Sequence, residues 1–244
     1  MNIGSTVIII PARMASSRFP GKPLADIAGT PMIVHVWKRA IEADLGPVWV
    51  TCPDQEIADA IKDSGGNAVL TNNEHTSGSD RVHEAVCLLD STADIIINLQ
   101  GDCPYIKPET IRSVLTPLKT EGVDIATLAA ATSDNETHNN QNIVKVVLTN
   151  GNDKGVRNAL YFSRTPIPSG EGPRFHHVGI YGFRRQTLDQ FAALPRSVLE
   201  NREGLEQLRA LEAGMCIGVE LVDSTPTGVD TPEDLERVKQ LFNC

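Results

Sequence analysis

Short apolar runs alternate with segments of helical spacing through the first half of the chain, and this alternation constrains the fold most. The runs predict strands over residues 6–10, 48–52, 68–71 and 94–99. Each run is apolar enough to be covered on both faces, as parallel strands are. The pattern therefore predicts an α/β fold with a mostly parallel, Rossmann-like central sheet, and it predicts a ligand at the carboxyl ends of the strands.

Helices are indicated between these strands. Apolar residues recur at helical spacing from Met32 to Ile41, and again in a segment that begins near Asp54 and stops at Gly65 and Gly66. Asp and Gly are common at the start and the end of helices, respectively. The first half of the chain is therefore predicted to alternate strands and helices, in the order β-α-β-α-β-α-β.

The second half of the chain changes character. Residues 142–155, 157–164 and 177–184 are rich in strand formers and are separated by Gly, Asn and Pro, which favours antiparallel strands and hairpins. We expect a mixed sheet there, carrying a second substrate. Two helices are predicted to follow, over 202–215 and 231–242, the latter with Thr231 as its N-cap.

Composition narrows the class of protein. A chain of 244 residues with 41% hydrophobic residues and no linker or repeat predicts a single domain. The formal net charge of −9 argues against a nucleic-acid partner, because such surfaces need a broad field of Lys and Arg. The N-terminal apolar run is too short for a membrane span or signal peptide. Five scattered cysteines favour reduced thiols in the cytoplasm.

One loop concentrates positive charge in this acidic chain. Residues 11–24 follow the first predicted strand and carry Arg13, Arg18 and Lys22, with no Asp or Glu before Asp26. Neither of the familiar glycine-rich phosphate motifs is present. Arg and Lys bind phosphate oxygens, so the loop is hypothesised to wrap the triphosphate of a nucleotide. A solvated surface loop is an equally weighted alternative.

Two carboxylates are candidate ligands of Mg²⁺. Asp102 follows the predicted strand 94–99, and Asp230 precedes the last helix. Mg²⁺ takes one or two carboxylates together with phosphate oxygens. Considered singly, Asp102 is also a common turn former, and Asp230 also fits the capping group of the last helix.

Two further segments have both a functional and a plain structural interpretation. Ser77, Gly78 and Arg81 suit close approach to a base or ribose, but equally suit an ordinary helix start. His177 and Tyr181 lie at even spacing and face one side of a predicted strand, where partly buried strand residues are the favoured interpretation.

Taken together, these stretches resemble the 3-deoxy-manno-octulosonate (Kdo) cytidylyltransferases, also called CMP-Kdo synthetases. The similarity covers essentially the whole chain in collinear blocks. These blocks are residues 9–24, 77–81, 98–102, 144–147, 159–168, 177–183, 205–214 and 228–238.

The resemblance implies a nucleotidyltransferase fold and a cytoplasmic homodimer that forms CMP-Kdo and pyrophosphate from CTP and Kdo for lipopolysaccharide synthesis. It implies a nucleotide-binding half over about 1–130, an acid-sugar-binding and dimerisation half over about 131–225, and the C-terminal helix. It assigns Arg13, Lys22, Asp102 and Asp230 to catalysis, and both aspartates to Mg²⁺. Nucleotide-binding positions are Arg13, Arg18, Lys22, Ser77, Gly78 and Arg81; sugar-binding positions are Gln100, Arg164, His177, Tyr181, Glu206 and Gln207.

The resemblance also implies direct attack of the anomeric hydroxyl on the α-phosphorus, with no covalent enzyme intermediate. The chain departs from the family pattern in three places: Cys103 stands where the family usually has Glu, residues 51–54 differ from the usual A-T-D-D, and the segment 169–175 is short. These departures leave two alternatives open: another acid sugar, such as 8-amino-Kdo, or a non-catalytic nucleotide-binding protein.

Overall fold

The computed structural model describes residues 4–16, 18–133, 138–151 and 155–242. These residues form two compact units. The N-terminal unit contains residues 4–112 together with 226–242, and the middle unit contains residues 113–225. The two units divide near residue 112, whereas the predicted halves divide near residue 130.

The N-terminal unit is built on parallel strands with helices between them. Its strands are β1 (Thr6–Pro11), β2 (Asp26–Ile27), β3 (Thr30–Pro31), β4 (Val48–Cys52), β5 (Asn67–Leu70) and β6 (Ile95–Leu99). Its helices before the middle unit are α1 (Met32–Glu42), α2 (Gln55–Asp63), α3 (Gly78–Leu88) and the short α4 (Pro108–Ser113). The predicted alternation of strands and helices is thus confirmed for β1, β4, β5 and β6 with the helices between them, whereas the short β2 and β3 were not predicted.

Four of these strands pair in the order β5-β4-β1-β6, and every pairing is parallel. The β1 side chains Ile8, Ile9 and Ile10 are fully buried, as expected for a strand covered on both faces. The same expectation is wrong for β5, where Asn67 and Leu70 are exposed. Within this unit β5 is an edge strand, so its apolar side chains have fewer neighbours.

The middle unit contains the mixed sheet that the second half of the sequence predicts. Its strands are β7 (Ile125–Thr132), β8 (Lys145–Leu148), β9 (Arg157–Ser163), β10 (Arg174–Arg184) and β11 (Ile217–Val222). Their order is β10-β7-β11-β9-β8, and β10 also pairs with β8. Only the β7–β11 pairing is parallel among the described pairs of this unit. The helices are α5 (Arg185–Ala193), α6 (Val198–Glu203) and α7 (Gln207–Glu212).

The single helix predicted over 202–215 is wrong. Helix α6 ends at Gly204, which adopts a left-handed conformation with φ of 66°, and α7 begins only at Gln207. Glycine reaches this conformation without steric cost, so it ends helices readily. The start of α6 carries a capping box between Ser197 and Glu200, a sequence signal that places a helix start well before residue 202.

The last helix, α8 (Pro232–Phe242), begins as predicted. The Thr231 hydroxyl accepts a hydrogen bond from the Asp234 N–H at 3.2 Å and so caps the helix. Val229, Leu235 and Val238 are buried in one cluster with Ile27 and Met32. This packing fixes the segment that carries Asp230.

Candidate active site

A cavity of about 320 Å³ lies at the carboxyl ends of β1 and β6 in the N-terminal unit. All the predicted nucleotide-binding residues line it, together with Gln100 and both predicted metal ligands. The predicted residues on its wall are Arg13, Arg18, Lys22, Ser77, Gly78, Arg81, Gln100, Asp102 and Asp230. The structure therefore brings together residues from four separate parts of the sequence, at the edge of the sheet where parallel-strand folds bind ligands.

The basic loop has a defined internal structure. The Met14 N–H donates to Asp54 Oδ2 at 2.8 Å, and the Met14 carbonyl accepts from the Gly21 N–H at 3.0 Å. Asp54 precedes α2 as predicted, but its side chain makes no capping hydrogen bond to that helix. It binds the loop instead, a role that its position before a predicted helix does not indicate.

Lys22 is the centre of a cluster of opposite charges. Its Nζ donates to the Val229 carbonyl at 2.7 Å and lies 3.3 Å from Asp102 Oδ2 and 3.4 Å from Asp230 Oδ1. Arg18 Nη2 lies 3.0 Å from the same Asp230 oxygen. We call Arg18, Lys22, Asp102 and Asp230 the Lys22 cluster. The two acids thus converge on a single ammonium group, as the triphosphate hypothesis requires.

The donors of the Lys22 cluster are of the type that Mg²⁺ prefers. Both carboxylates keep about a third of their side-chain surface exposed, 34% for Asp102 and 35% for Asp230. Mg²⁺ is commonly held by one or two carboxylates and completes its shell with water and phosphate oxygens. Burial raises the pKa of the neighbouring Cys103 thiol well above its usual range, which disfavours the thiolate form that binds metals. Among the described residues, no group of three or more His, Cys, Asp or Glu side chains is arranged to hold a metal ion.

The segment from Ser77 to Arg81 is both a helix start and a cavity wall. Ser77 is the N-cap of α3, and its hydroxyl accepts from the Asp80 N–H at 3.1 Å. A Cβ at Gly78 would lie 3.3 Å from Gln100 Nε2, so glycine allows this close approach. The plain structural interpretation is therefore confirmed, while the nucleotide-binding role stays a prediction.

Arg81 is buried beside the cavity and held by the protein. Its Nη1 donates to Thr71 Oγ1 and to the Asn72 carbonyl, each at 2.8 Å. Burial lowers its pKa, and the nearby Arg13 adds to the shift. Its Nη2 is buried and has no hydrogen-bond partner among the described residues. A buried donor of this kind is costly unless a ligand or water accepts from it.

Gln100 is the one predicted sugar residue in the N-terminal unit. Its Nε2 donates to Asn98 Oδ1 at 3.0 Å, and Asn98 Nδ2 donates to Ser79 Oγ at 3.0 Å. Asn98 is fully buried. This chain of hydrogen bonds leaves Gln100 Oε1 as the acceptor that the amide offers to a ligand.

His177, on β10 of the middle unit, is buried and neutral. Burial lowers its pKa to about 3. Its Nε2 lies 2.8 Å from Thr127 Oγ1, and that hydroxyl lies 2.8 Å from the Ile180 carbonyl, which can only accept. The Thr127 hydroxyl therefore donates to Ile180, and His177 Nε2–H donates to Thr127. A neutral ring with a proton on Nε2 presents Nδ1 as an acceptor.

Three further predicted sugar residues lie in the same unit. Tyr181 is buried, its ring centroid lies 5.5 Å from that of His177, and burial, together with Glu206, raises the pKa of its hydroxyl. Glu206 is the N-cap residue of α7. Gln207 is 4% exposed, and its buried Nε2 has no hydrogen-bond partner within the described ranges. His177 and Tyr181 are thus buried strand residues, as expected, and their role towards a sugar stays a prediction.

Arg164 directly follows β9 and is half-buried. Its N–H donates to Glu203 Oε2 at 3.3 Å, its carbonyl accepts from Lys145 Nζ at 2.5 Å, and its Nη1 donates to the Gln141 carbonyl at 3.3 Å. Lys145 and Glu203 are not among the residues predicted for the site. A lysine flanked by valines in a predicted strand is the signal that marks Lys145, since charged residues are seldom placed there.

None of the helices in the described residues is both long enough and apolar enough to span a membrane.

Comparison with known proteins agrees with this arrangement. A family model described as cytidylyltransferase matches residues 7–217. A 3-deoxy-manno-octulosonate cytidylyltransferase from Paramagnetospirillum magneticum is 53% identical over 240 residues, covering 98% of each chain. A protein of the same name from Parvibaculum lavamentivorans is 55% identical over 238 residues, covering 97% of this chain and 92% of the relative.

Solved structures give the same result. A structure of CMP:2-keto-3-deoxy-manno-octonic acid synthetase complexed with CTP matches with a TM-score of 0.89 and 42% identity, over 98% of both chains. A 4-diphosphocytidyl-2C-methyl-D-erythritol synthase from Anaerococcus prevotii matches over 100% of both chains with a TM-score of 0.64 at 12% identity. This second likeness shows the fold alone. The predicted α/β nucleotidyltransferase fold is confirmed.

Proposed function

Because this chain belongs to the 3-deoxy-manno-octulosonate cytidylyltransferase family, we propose that it transfers CMP from CTP to the anomeric hydroxyl of Kdo and releases pyrophosphate. The observation that carries the proposal is the position of Lys22, held between Asp102 and Asp230 on the wall of the cavity. A nucleotidyltransferase needs positive charge on the phosphates, and this cluster supplies it at the sheet edge that such folds use.

The basic loop and the start of α3 would bind CTP. Arg13, Arg18 and Lys22 line the cavity and are of the residue types that bind phosphate oxygens. Ser77, Gly78 and Arg81 also line the cavity and would contact the nucleoside. Here the buried Nη2 of Arg81 gains an acceptor, which removes the cost of leaving it unpaired.

Asp102 and Asp230 would hold Mg²⁺. Two cations and two acids make the Lys22 cluster formally neutral, whereas a triphosphate carries several negative charges. When bound, Mg²⁺ supplies additional positive charge, which offsets the negative charges of the phosphates. The roles of Lys22 and Arg18 follow from their chemistry: each can donate to phosphate oxygens while the two acids remain at the metal.

The acid sugar would be bound by residues whose polar atoms are fixed in advance. Arg164 would bind its carboxylate, since a guanidinium pairs with a carboxylate through two hydrogen bonds. In the middle unit, His177 Nδ1 would accept from a sugar hydroxyl, and the buried Gln207 Nε2 would donate to one. Tyr181 and Glu206 complete the set predicted in this unit.

The chemistry is a direct displacement at phosphorus. The anomeric oxygen of the sugar forms a bond to the α-phosphorus of CTP, and the bond from that phosphorus to the bridging oxygen of pyrophosphate breaks. The hydroxyl proton is released to solvent. Lys22 offsets the charge that develops on the leaving pyrophosphate, and alignment of the two substrates supplies much of the acceleration. No side-chain nucleophile takes part.

The biological setting belongs to the same proposal. A CMP-activated Kdo is a donor for lipopolysaccharide synthesis, and we propose that the enzyme works in the cytoplasm as a homodimer, without a nucleic-acid or membrane partner. Size-exclusion chromatography with light scattering tests the dimer.

Pyrophosphate release in the presence of CTP and Mg²⁺ tests the reaction. Kdo is expected to give turnover, whereas 8-amino-Kdo and sialic acid are expected to give much less. Turnover with 8-amino-Kdo but not with Kdo would contradict the proposed sugar. Binding of CTP without turnover on any of the three would instead indicate a non-catalytic nucleotide-binding protein.

A further inference from the structure

We propose that Lys145 and Glu203 are positioning residues, which hold the carbonyl and the N–H of Arg164, respectively, so that the Arg164 guanidinium meets the sugar carboxylate. The inference rests on the proposed function, which gives Arg164 that role. It concerns two ionisable side chains of the middle unit that are not part of the predicted site.

Lys145 is a fully buried lysine with only backbone partners. It is 0% exposed, and its Nζ donates to the carbonyls of Asn140 and Ile143 at 2.8 Å each and to that of Arg164 at 2.5 Å. An ammonium group has three N–H donors, and three carbonyl oxygens accept them. No donor is left for a substrate, so Lys145 can act on catalysis only through the segments it joins.

Glu203 holds Arg164 on the other side of its Cα, through the backbone N–H. It is the last residue of α6, and its Oε2 accepts from the Arg164 N–H at 3.3 Å and from Ser163 Oγ at 3.1 Å. Its Oε1 accepts from the Tyr161 hydroxyl at 3.3 Å. Burial, followed by the charge of Glu203, raises the pKa of Tyr161, which keeps that hydroxyl protonated as a donor. The carboxylate therefore spans the end of β9 and the first residue beyond it.

The Arg164 backbone is thus fixed, while the Arg164 guanidinium remains available to bind a carboxylate. The guanidinium donates to the Gln141 carbonyl, and Lys145 donates to the Asn140 and Ile143 carbonyls of the same 140–143 segment. No carboxylate pairs with it among the described residues. An arginine on a fixed backbone loses less freedom when it binds a carboxylate, and small displacements of such a group weaken binding strongly.

Steady-state kinetics of three variants tests the inference. Lys145→Met removes the ammonium, Glu203→Ala removes the carboxylate, and Glu203→Gln keeps one acceptor oxygen. We expect the KM for Kdo to rise roughly tenfold in Lys145→Met and Glu203→Ala, and less in Glu203→Gln. The KM for CTP is expected to stay within about twofold of wild type, because the predicted CTP residues lie in the N-terminal unit.

Arg184→Met is the matched control. Arg184 also holds backbone carbonyls of the middle unit, those of Val123 and Leu118. Its loss is expected to lower thermal stability without a selective change in the KM for Kdo. An equal selective change in this control would overturn the inference, since the effect would then follow from general loosening of the unit.

A double-mutant cycle with Arg164→Ala separates action through Arg164 from a direct effect. If Lys145 and Glu203 act through Arg164, adding either substitution to Arg164→Ala raises the KM for Kdo no further. A full additional rise would overturn the inference. If Lys145→Met fails to fold by circular dichroism, the same comparison with Glu203→Gln and Glu203→Ala decides.

Wild-type turnover is measured first. Absence of any turnover with Kdo would contradict the proposed function and this inference together. Normal wild-type turnover, with Kdo KM values of the variants unchanged, would overturn the inference alone.

Discussion

Lys22 and Lys145 are both lysines bonded to backbone carbonyls, yet their surroundings give them opposite uses. Lys22 lies on the wall of an open cavity, 15% of its side chain exposed, and two of its three partners are partly exposed carboxylates. Lys145 is 0% exposed and has carbonyl partners only. The Lys22 ammonium, paired with partly exposed carboxylates, can exchange these partners for a ligand that binds in the cavity. The Lys145 ammonium is buried among backbone carbonyls and can only stabilise the backbone that it contacts.

The largest expected effect is at Lys22. Lys22→Met should lower kcat with CTP and Kdo by about 10²–10³-fold, because it removes a fixed cation from the developing phosphate charge. The folded structure should be little affected, since the lost contacts are partly exposed. Steady-state kinetics measures kcat, and thermal melting measures the stability of the folded structure. Lys239→Met, which removes a partly exposed lysine paired with Glu236 on α8, is the control and should be fully active.

A buried ion pair in the middle unit should show the reverse pattern. Glu200 and Arg209 are 2% and 3% exposed and make hydrogen bonds of 2.8 and 2.9 Å. Glu200→Ala leaves the Arg209 charge buried, which should lower the free energy of unfolding by about 3 kcal/mol. Urea denaturation measures this. Glu236→Ala, at an exposed pair, should change it by less than about 0.5 kcal/mol, and equal effects would contradict the comparison.

The buried His177 predicts a pH dependence of stability. Its folded pKa of about 3 lies below the ordinary value of about 6.5, so between these values the unfolded chain binds a proton that the folded chain excludes. The free energy of unfolding should therefore fall as pH decreases through that window, by about 1.4 kcal/mol per pH unit from this group, and not change above it.

Urea denaturation at pH 7.5 and pH 5 measures this slope. His177→Asn removes the titrating group, so the variant should lose less stability than wild type over the same interval. Identical losses in the two proteins would contradict the assignment of a neutral, buried histidine.

The smallest effect is expected at Asp54, which binds the basic loop from outside the cavity. Asp54→Ala should raise the KM for CTP about fivefold, because roughly one hydrogen bond, that from the Met14 N–H, is lost. The KM for Kdo should stay unchanged. Asp54→Asn keeps an acceptor and should lie close to wild type. Asp59→Ala, on the exposed face of α2, serves as control. A rise in the KM for Kdo instead would show that the loop does not serve the nucleotide.

The parallel strands of the N-terminal unit could be predicted because continuous apolar runs are typical of strands that are buried on both faces. The sequence also predicted that Asp102 lies beside the basic loop, because carboxyl ends of parallel strands share one edge, whereas the place of Asp230 followed from the family resemblance. The contacts of Lys145 and Glu203 were not predicted, because Lys145 binds only backbone carbonyls and Glu203 lies about 40 residues from its partners Tyr161, Ser163 and Arg164. The sequence likewise did not reveal the break at Gly204, since the apolar spacing continues on both sides of that glycine.

The convergence of the Lys22 cluster on one metal-bound triphosphate is tested most directly by crystallography with CTP and Mn²⁺ in place of Mg²⁺. The anomalous signal of the metal locates it independently of the protein and the nucleotide. We predict one strong peak bonded to an oxygen of Asp102, an oxygen of Asp230 and the phosphates, with Lys22 and Arg18 donating to phosphate oxygens. A peak at other carboxylates, or a CTP phosphate chain bound away from Lys22, would contradict the account.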